Sequence, residues 1–180
     1  MSQVTLGIHR LHDDVVMPQF GTPEAACFDI HAYIKTGTGI CGYNDYQTDK
    51  FYIDPIDNLQ DDDGSSAYIE ITESNRLLIP TGIIFDIPVG YSLRLHSRSG
   101  ISLKQGIVLA NGEGIIDSDY HYETFVMLTS LSSQIKKIYH GDRIAQAELV
   151  PVINTRFEDV GHPGEVRETG RTGGFGSTGV

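Results

Sequence analysis

The sequence predicts an all-β domain (a sandwich, jelly roll or barrel) with one short helix. Three observations lead there. Val4, Leu6 and Ile8 alternate with Thr5, Gly7 and His9, the period-two pattern of a half-buried strand. Further β-rich runs cover residues 76–87, 89–95, 123–131 and 143–153, broken by Pro80-Thr81-Gly82, Pro88-Val89-Gly90, Asn111-Gly112 and Gly141-Asp142. Helical periodicity is nearly absent. The best helix candidate runs from Ser99 to about Gln105 and opens at Arg98-Ser99-Gly100. No internal repeat with a solenoid-like period is present.

Composition bounds the function. The chain has 180 residues, which suits a single domain over 1–180, and 39% of them are hydrophobic, as in globular chains. With 13 Lys+Arg against 24 Asp+Glu the formal net charge is −11, which argues against a protein that coats nucleic acid. An anionic ligand must then be held by a few local donors together with a bound cation. No apolar run is long enough for a membrane-spanning helix, and Met1-Ser2-Gln3-Val4 does not read as a secretory signal. Cys27 and Cys41 are too few for a disulfide framework, and there is no Asn-x-Ser/Thr sequon. The expectation is a reduced, cytoplasmic protein (host cytoplasm if the chain is viral) with no membrane or nucleic-acid partner.

Two segments stand apart. Residues 36–66 mix Gly, Tyr and Asp and end in Asp61-Asp62-Asp63-Gly64, and read as a surface insertion. The acidic run lacks the calcium-loop pattern, so a solvated loop is favoured over a metal site. The aromatics Tyr43, Tyr46, Phe51, Tyr52 and Tyr68 either form a surface for a protein partner or pack on their own subunit. The C-terminal stretch, residues 164–180, ends in Gly170-Arg171-Thr172-Gly173-Gly174-Phe175-Gly176-Ser177-Thr178-Gly179 and reads as a mobile arm carrying a phosphate-gripping cation and a stacking ring.

Few groups have the makings of chemistry. In Ile115-Ile116-Asp117-Ser118-Asp119-Tyr120, Asp117 and Asp119 would share a face if extended, and one could serve as general base toward water. On those six residues alone, a turn capped by Asp is the favoured reading. Arg98-Ser99-Gly100 ahead of a short helix is a candidate phosphate cradle, but no P-loop pattern occurs. His9 and His12 are the closest histidines and lie in a strand pattern, which disfavours a metal site. Ser99 lacks the elbow of an acyl-transfer nucleophile, and Cys27 reads as a small buried hydrophobe.

The order of the pieces is more specific than any one of them. Ala26-Cys27-Phe28-Asp29-Ile30, Arg98-Ser99-Gly100, Asn111 through Tyr120, Gly141-Asp142-Arg143-Ile144-Ala145-Gln146 and the glycine arm together resemble the five motifs of the trimeric dUTPase family. The resemblance implies a jelly-roll-like β subunit, a homotrimer with active sites shared between subunits, and magnesium-dependent hydrolysis of dUTP to dUMP and pyrophosphate. Such an enzyme limits uracil in DNA and supplies dUMP for thymidylate synthesis. Carried over residue by residue, Asp117 is the base that polarises water for attack on the α-phosphorus, and Asp29 is a supporting carboxylate. Asn111, with Gly114 and Ile116 on its hairpin, reads uracil, and Tyr120 packs under the deoxyribose and excludes a 2′-hydroxyl. Arg98, Ser99, Gly100 and Gln146 hold phosphates. Phe175, beside Gly176, stacks on the uracil as the arm closes, and Arg171 reaches the terminal phosphate. Magnesium is held mainly by triphosphate and water, so no direct protein ligand is assigned.

Three positions depart from the family pattern. Cys27 replaces a usual glycine, Tyr122 stands where Gly is common, and Arg171 precedes Phe175 by four residues rather than five. Related dCTP deaminases are a weaker match, because they carry Ser-Ser where this chain has Ser99-Gly100. A binding or structural trimer that has lost catalysis would have no physical need for the whole set of polar motif residues.

Overall fold

The computed structural model describes residues 3–45, 50–57 and 67–161, in which thirteen strands and one helix are joined mostly by tight turns. In chain order the strands are β1 (Gly7–Arg10), β2 (Phe28–His31), β3 (Ile40–Asn44), β4 (Phe51–Ile53), β5 (Tyr68–Ile71), β6 (Asn75–Pro80), β7 (Ile83–Asp86) and β8 (Tyr91–His96). The helix α1 (Ser99–Gln105) follows, then β9 (Ile107–Leu109), β10 (Gly114–Ile116), β11 (Phe125–Ser130), β12 (Lys136–Tyr139) and β13 (Arg143–Pro151). They form a four-stranded sheet in the order β10-β8-β13-β2 and a five-stranded sheet in the order β4-β3-β6-β11-β9. Two small ribbons, β1-β7 and β12-β5, accompany them. Every strand pairing is antiparallel. No helix among the described residues is long and apolar enough to cross a membrane.

The core follows from period-two alternation. Phe28 and Ile30 on β2, Leu93 and Leu95 on β8, and Ala145 and Ala147 on β13 are buried. They join Ile40, Leu77, Ile79, Val126 and Leu128 of the larger sheet in one apolar cluster. Asp29, His96 and Gln146 fall between the buried positions and so face away from that core. The predicted helix matches α1 in its bounds. It starts at Arg98, in extended conformation, and stops at Gly106, whose left-handed φ of 74° lets its N–H reach Ser102 O.

Several boundaries differ from the sequence reading. The N-terminal ladder begins at Gly7 rather than Val4, although Leu6 and Ile8 both pack on the core. Its partner β7 ends at Asp86, shortly before Pro88, which has no N–H to offer a ladder. The run 76–87 is two strands, split at Thr81-Gly82. The 36–66 segment is not simply a surface loop: β3 lies inside the five-stranded sheet between β4 and β6, and Ile40 is 2% exposed. Phe51 packs against the core while Tyr43 and Tyr52 stay exposed. Tyr68 pairs in β5 and its ring lies 5.4 Å from that of Tyr139. Tyr46 and Asp61-Asp62-Asp63-Gly64 lie outside the described residues.

The Thr81-Gly82 turn ties distant parts together. Leu11 N donates to Gly82 O, Tyr33 N to Pro80 O and Thr124 N to Ile83 O, each at 2.8 Å. Gly82 has φ +68°, and a Cβ there would come within 2.5 Å of Val15 Cγ2. Gly82→Ala therefore combines left-handed strain with a clash and is expected to cost about 2–4 kcal/mol, read from urea unfolding midpoints.

Acid should loosen the fold through His140. Its Nδ1 accepts from Ile34 N at 3.1 Å, and its ring meets Tyr33 edge-on at 5.2 Å. Burial, and secondarily Lys35, push its pKa below the usual 6.5. Burial does the same to His31. The unfolded chain then binds more protons than the folded one below about pH 6.5, so stability falls as pH drops through that value. Urea titrations at pH 7.5 and 5.5 should show a smaller loss for His140→Gln than for the wild type, with His31 keeping part of the slope.

Candidate active site

The candidate residues collect at two corners of the four-stranded sheet. At the first, Asp29 on β2 accepts from Arg98 Nε at 2.8 Å and from Arg143 Nη1 at 3.2 Å. Arg98 Nη1 also donates to Arg143 O at 3.2 Å, which ties the start of α1 to β13. The Asp29 and Arg98 side chains are 19% and 21% exposed, so this charge pair is largely shielded from solvent. Ser99 and Gly100 begin α1 on the surface, and among the described residues no side chain caps the helix. Gln146 sits opposite Asp29 on one side and His96 on the other. Two guanidinium groups beside surface amides and a side-chain amide are donors that suit phosphate oxygens.

The second corner is built by the tight turn between β9 and β10, which is a crossing between sheets and not the expected hairpin, because β9 pairs with β11 and β10 with β8. Gly112 takes φ 74°, Gly112 N donates to Leu109 O and Glu113 N to Asn111 O, leaving Asn111 exposed at the tip. Gly114 is buried against Leu95, where an added Cβ would lie 3.0 Å from Leu95 Cβ. β10 then delivers Ile116 to the core and Asp117 to the surface, where a turn closes from Tyr120 N to Asp117 O at 3.1 Å. A cavity of about 290 Å³ lies here, lined by Leu78, Ile116, Asp117, Tyr120, Thr124 and Phe125 among others. The Asp117 carboxylate has no hydrogen-bond or ion-pair partner among the described residues. That is the condition of a group free to accept from water. Tyr120 donates from its hydroxyl to Glu123 O at 3.0 Å, and its ring meets Tyr122 at 5.7 Å.

The structure brings Asp29, Arg98, Ser99, Gly100 and Gln146 together, and separately Asn111, Gly114, Ile116, Asp117 and Tyr120. It does not join the two groups within one chain. The register runs Asp29–Gln146–His96 across the sheet, while Ile116 faces Leu93, one step before the level of Asp117. Three interstrand steps and four residues of β8 therefore separate Asp29 from Asp117, a distance of roughly 20 Å at ordinary sheet spacings. Arg171, Phe175 and Gly176 lie outside the described residues.

Arg143 is a further partner of Asp29. It lies within Gly141-Asp142-Arg143-Ile144-Ala145-Gln146, but only the β2–β13 pairing brings it to that carboxylate. Cys27 is half-buried, and burial, then Glu148, raises its thiol pKa, so it is poorly suited to thiolate chemistry. The His12 ring stacks on Tyr33 at 4.7 Å.

A β subunit of this topology, with a phosphate-suited corner and a glycine turn leading to an aspartate unpaired among the described residues, falls in the class of jelly-roll-like proteins that handle nucleotides. Comparison with known proteins narrows the class. The chain belongs to the dUTPase family, whose sequence model matches residues 64–179. It is 33% identical over 175 residues to the deoxyuridine 5'-triphosphate nucleotidohydrolase of Nautilia profundicola, covering 97% of this chain and 98% of that one. It is 44% identical over 112 residues to the protein of the same name from Dinoroseobacter shibae, covering 62% of this chain and 70% of that one. A Staphylococcus bacteriophage 80alpha dUTPase variant, solved with dUpNHpp, shares the fold with a TM-score of 0.67 at 21% identity, covering 99% of this chain and all of that one.

Proposed function

We propose that this chain hydrolyses dUTP to dUMP and pyrophosphate, with Asp117 as the base that activates water for attack on the α-phosphorus. The observation that carries the assignment is the position of Asp117: exposed, unpaired among the described residues and beside Tyr120 in a cleft near the lower size limit of small-ligand pockets. The tight turn around Asn111 reads the uracil edge and leaves no room for a thymine methyl. Tyr120 lies under the deoxyribose. Ser99, Gly100 and Gln146 hold the phosphates, and Arg98 and Arg143 supply positive charge there while Asp29 fixes their orientation. Arg171 and Phe175 complete the site from the C-terminal arm. Positioning and charge neutralisation, rather than covalent chemistry, then supply most of the acceleration.

Magnesium fits this reading. Both oxygens of Asp29 are engaged by guanidinium groups, and no cluster of three or more His, Cys, Asp or Glu side chains able to hold a metal ion occurs among the described residues. The ion would be held by the triphosphate and its own waters, with Asp117 free to accept from them. When bound, it neutralises charge on the triphosphate.

The active enzyme is a homotrimer whose sites lie between subunits. Carboxylates roughly 20 Å apart cannot serve one phosphorus, because a general base must be within hydrogen-bond reach of its water. A second copy that brings its Asn111–Tyr120 corner to the Asp29 corner of the first resolves the separation. Pyrophosphate release from dUTP, dCTP, dTTP and UTP with magnesium tests the assignment. Turnover of dUTP alone supports it, and ammonia release from dCTP would instead indicate a deaminase.

A further inference from the structure

We propose that Glu123 is a positioning residue for the same site: it clamps Tyr120 and so sets how strongly a ribose is rejected against a deoxyribose. The proposal rests on the reading of Tyr120 as the residue under the sugar.

Tyr120 is 39% exposed, and among the described residues its ring meets one other aromatic, Tyr122. An exposed ring on a turn has several rotamers available, so excluding one hydroxyl by steric contact needs an external hold. That hold is the hydrogen bond from the Tyr120 hydroxyl to Glu123 O, 3.0 Å long. The carbonyl is useful as an anchor only if residue 123 is itself fixed.

Residue 123 is fixed by its own side chain. Glu123 Oε1 accepts from Gly82 N at 2.8 Å, across 41 residues of chain. The next residue continues the attachment: Thr124 N donates to Ile83 O at 2.8 Å, and Thr124 O accepts from Thr81 Oγ1 at 2.7 Å. Thr81 and Thr124 are both buried. Three hydrogen bonds thus rivet residues 123–124 to the Thr81-Gly82 turn, which φ +68° at Gly82 already holds in one shape. The Thr124 N–H shares a peptide plane with the carbonyl that Tyr120 grips, so its bond to Ile83 O holds that plane on one side, and the Glu123 side chain holds the preceding Cα on the other. Without that side chain, Gly82 N loses its acceptor and the carbonyl is restrained from the Thr124 side alone.

The link is the acceptor oxygen, not the charge. Glu123→Gln keeps a carbonyl oxygen in place and should behave as wild type. Glu123→Ala removes it and should raise kcat/KM for UTP relative to dUTP on the order of tenfold, the value of one hydrogen bond to a charged acceptor. Tyr120→Phe cuts the same link from the other end, without touching the turn. It should shift the UTP:dUTP ratio by a similar factor at unchanged thermal midpoint. The Glu123→Ala, Tyr120→Phe double variant should show no further change, because both substitutions break one connection.

The experiment measures kcat/KM for dUTP and UTP with magnesium in wild type and these four variants, alongside thermal midpoints. A changed ratio in Glu123→Ala and Tyr120→Phe, restored in Glu123→Gln and non-additive in the double variant, supports the clamp. Equal loss on both substrates in Glu123→Ala means that Glu123 only stabilises the fold, and overturns it. So does a Glu123→Gln that fails to restore the ratio. If Glu123→Ala does not fold, an unchanged ratio in Tyr120→Phe overturns the clamp by itself. A wild type that turns over UTP as well as dUTP refutes the Tyr120 reading instead, and that result precedes every comparison among variants.

Discussion

Asp117→Asn is expected to lower kcat for dUTP by about 10²–10⁴-fold while leaving KM nearly unchanged, because general-base catalysis is worth that much and acts only in the transition state. The substitution is close to isosteric. It leaves a surface side chain that has no partner to lose among the described residues, so the thermal midpoint should stay within about 1 °C of wild type for an exposed change of this kind. Steady-state pyrophosphate release and direct binding of dUpNHpp separate the two effects. Unchanged affinity with lost turnover is the signature of a base. Lost affinity would mean that Asp117 holds substrate and leaves activation of the water to another group.

Asp29→Ala should cost both stability and turnover, and for one reason. The carboxylate neutralises Arg98 and Arg143 at the point where α1, β2 and β13 meet. Removing one partner of a fully buried ion pair costs about 3–5 kcal/mol. Here the Arg143 side chain is 57% exposed and water screens it, so about 2 kcal/mol is the expected loss. The two guanidinium groups would then repel each other and swing away from the phosphate positions. Activity should fall at least as far as for a lost phosphate contact, and Asp29→Asn should recover part of the stability because an acceptor oxygen remains. Urea midpoints and kcat/KM on the same samples test both halves.

Much of the local geometry at the candidate site was legible in the sequence, and for a physical reason. Gly112 is demanded by a tight turn and Gly114 by close packing on Leu95, and Asp117 and Tyr120 follow at fixed spacing, so their neighbourhood is written in consecutive residues. The helix at Ser99–Gln105 was equally local, bounded by Arg98-Ser99-Gly100 and ended by Gly106. What the sequence concealed was long-range. Arg143 over Asp29 depends on β13 pairing with β2, and Glu123 on Gly82 depends on a contact between a turn and the start of β11. Neither has a periodicity or a motif to announce it.

The 36–66 segment shows the same limit from another side. Its Gly and Asp content reads as loop, because these residues weaken the strand pattern when taken one at a time, although its tyrosines favour strands. In the fold, Gly42 lies buried in β3 opposite both Phe51 and Leu77, where the absence of a side chain lets three strands pack closely. Burial against neighbours outweighed local propensity there, as is common in sheets.

The most direct test of a site shared between copies is to mix two inactive proteins. Asp117→Asn keeps an intact Asp29 corner, and Asp29→Asn keeps an intact Asp117 corner. Each is expected to lose most of its activity alone. After equal amounts are denatured together and refolded, random assembly into the proposed trimers should place the two intact corners face to face in about a quarter of the sites, each running at the wild-type rate. Recovery of dUTP hydrolysis near that fraction is the expected result. A mixture that stays as inactive as its components, with mixed trimers verified by mass, would show that both carboxylates act within one chain and would contradict the shared site.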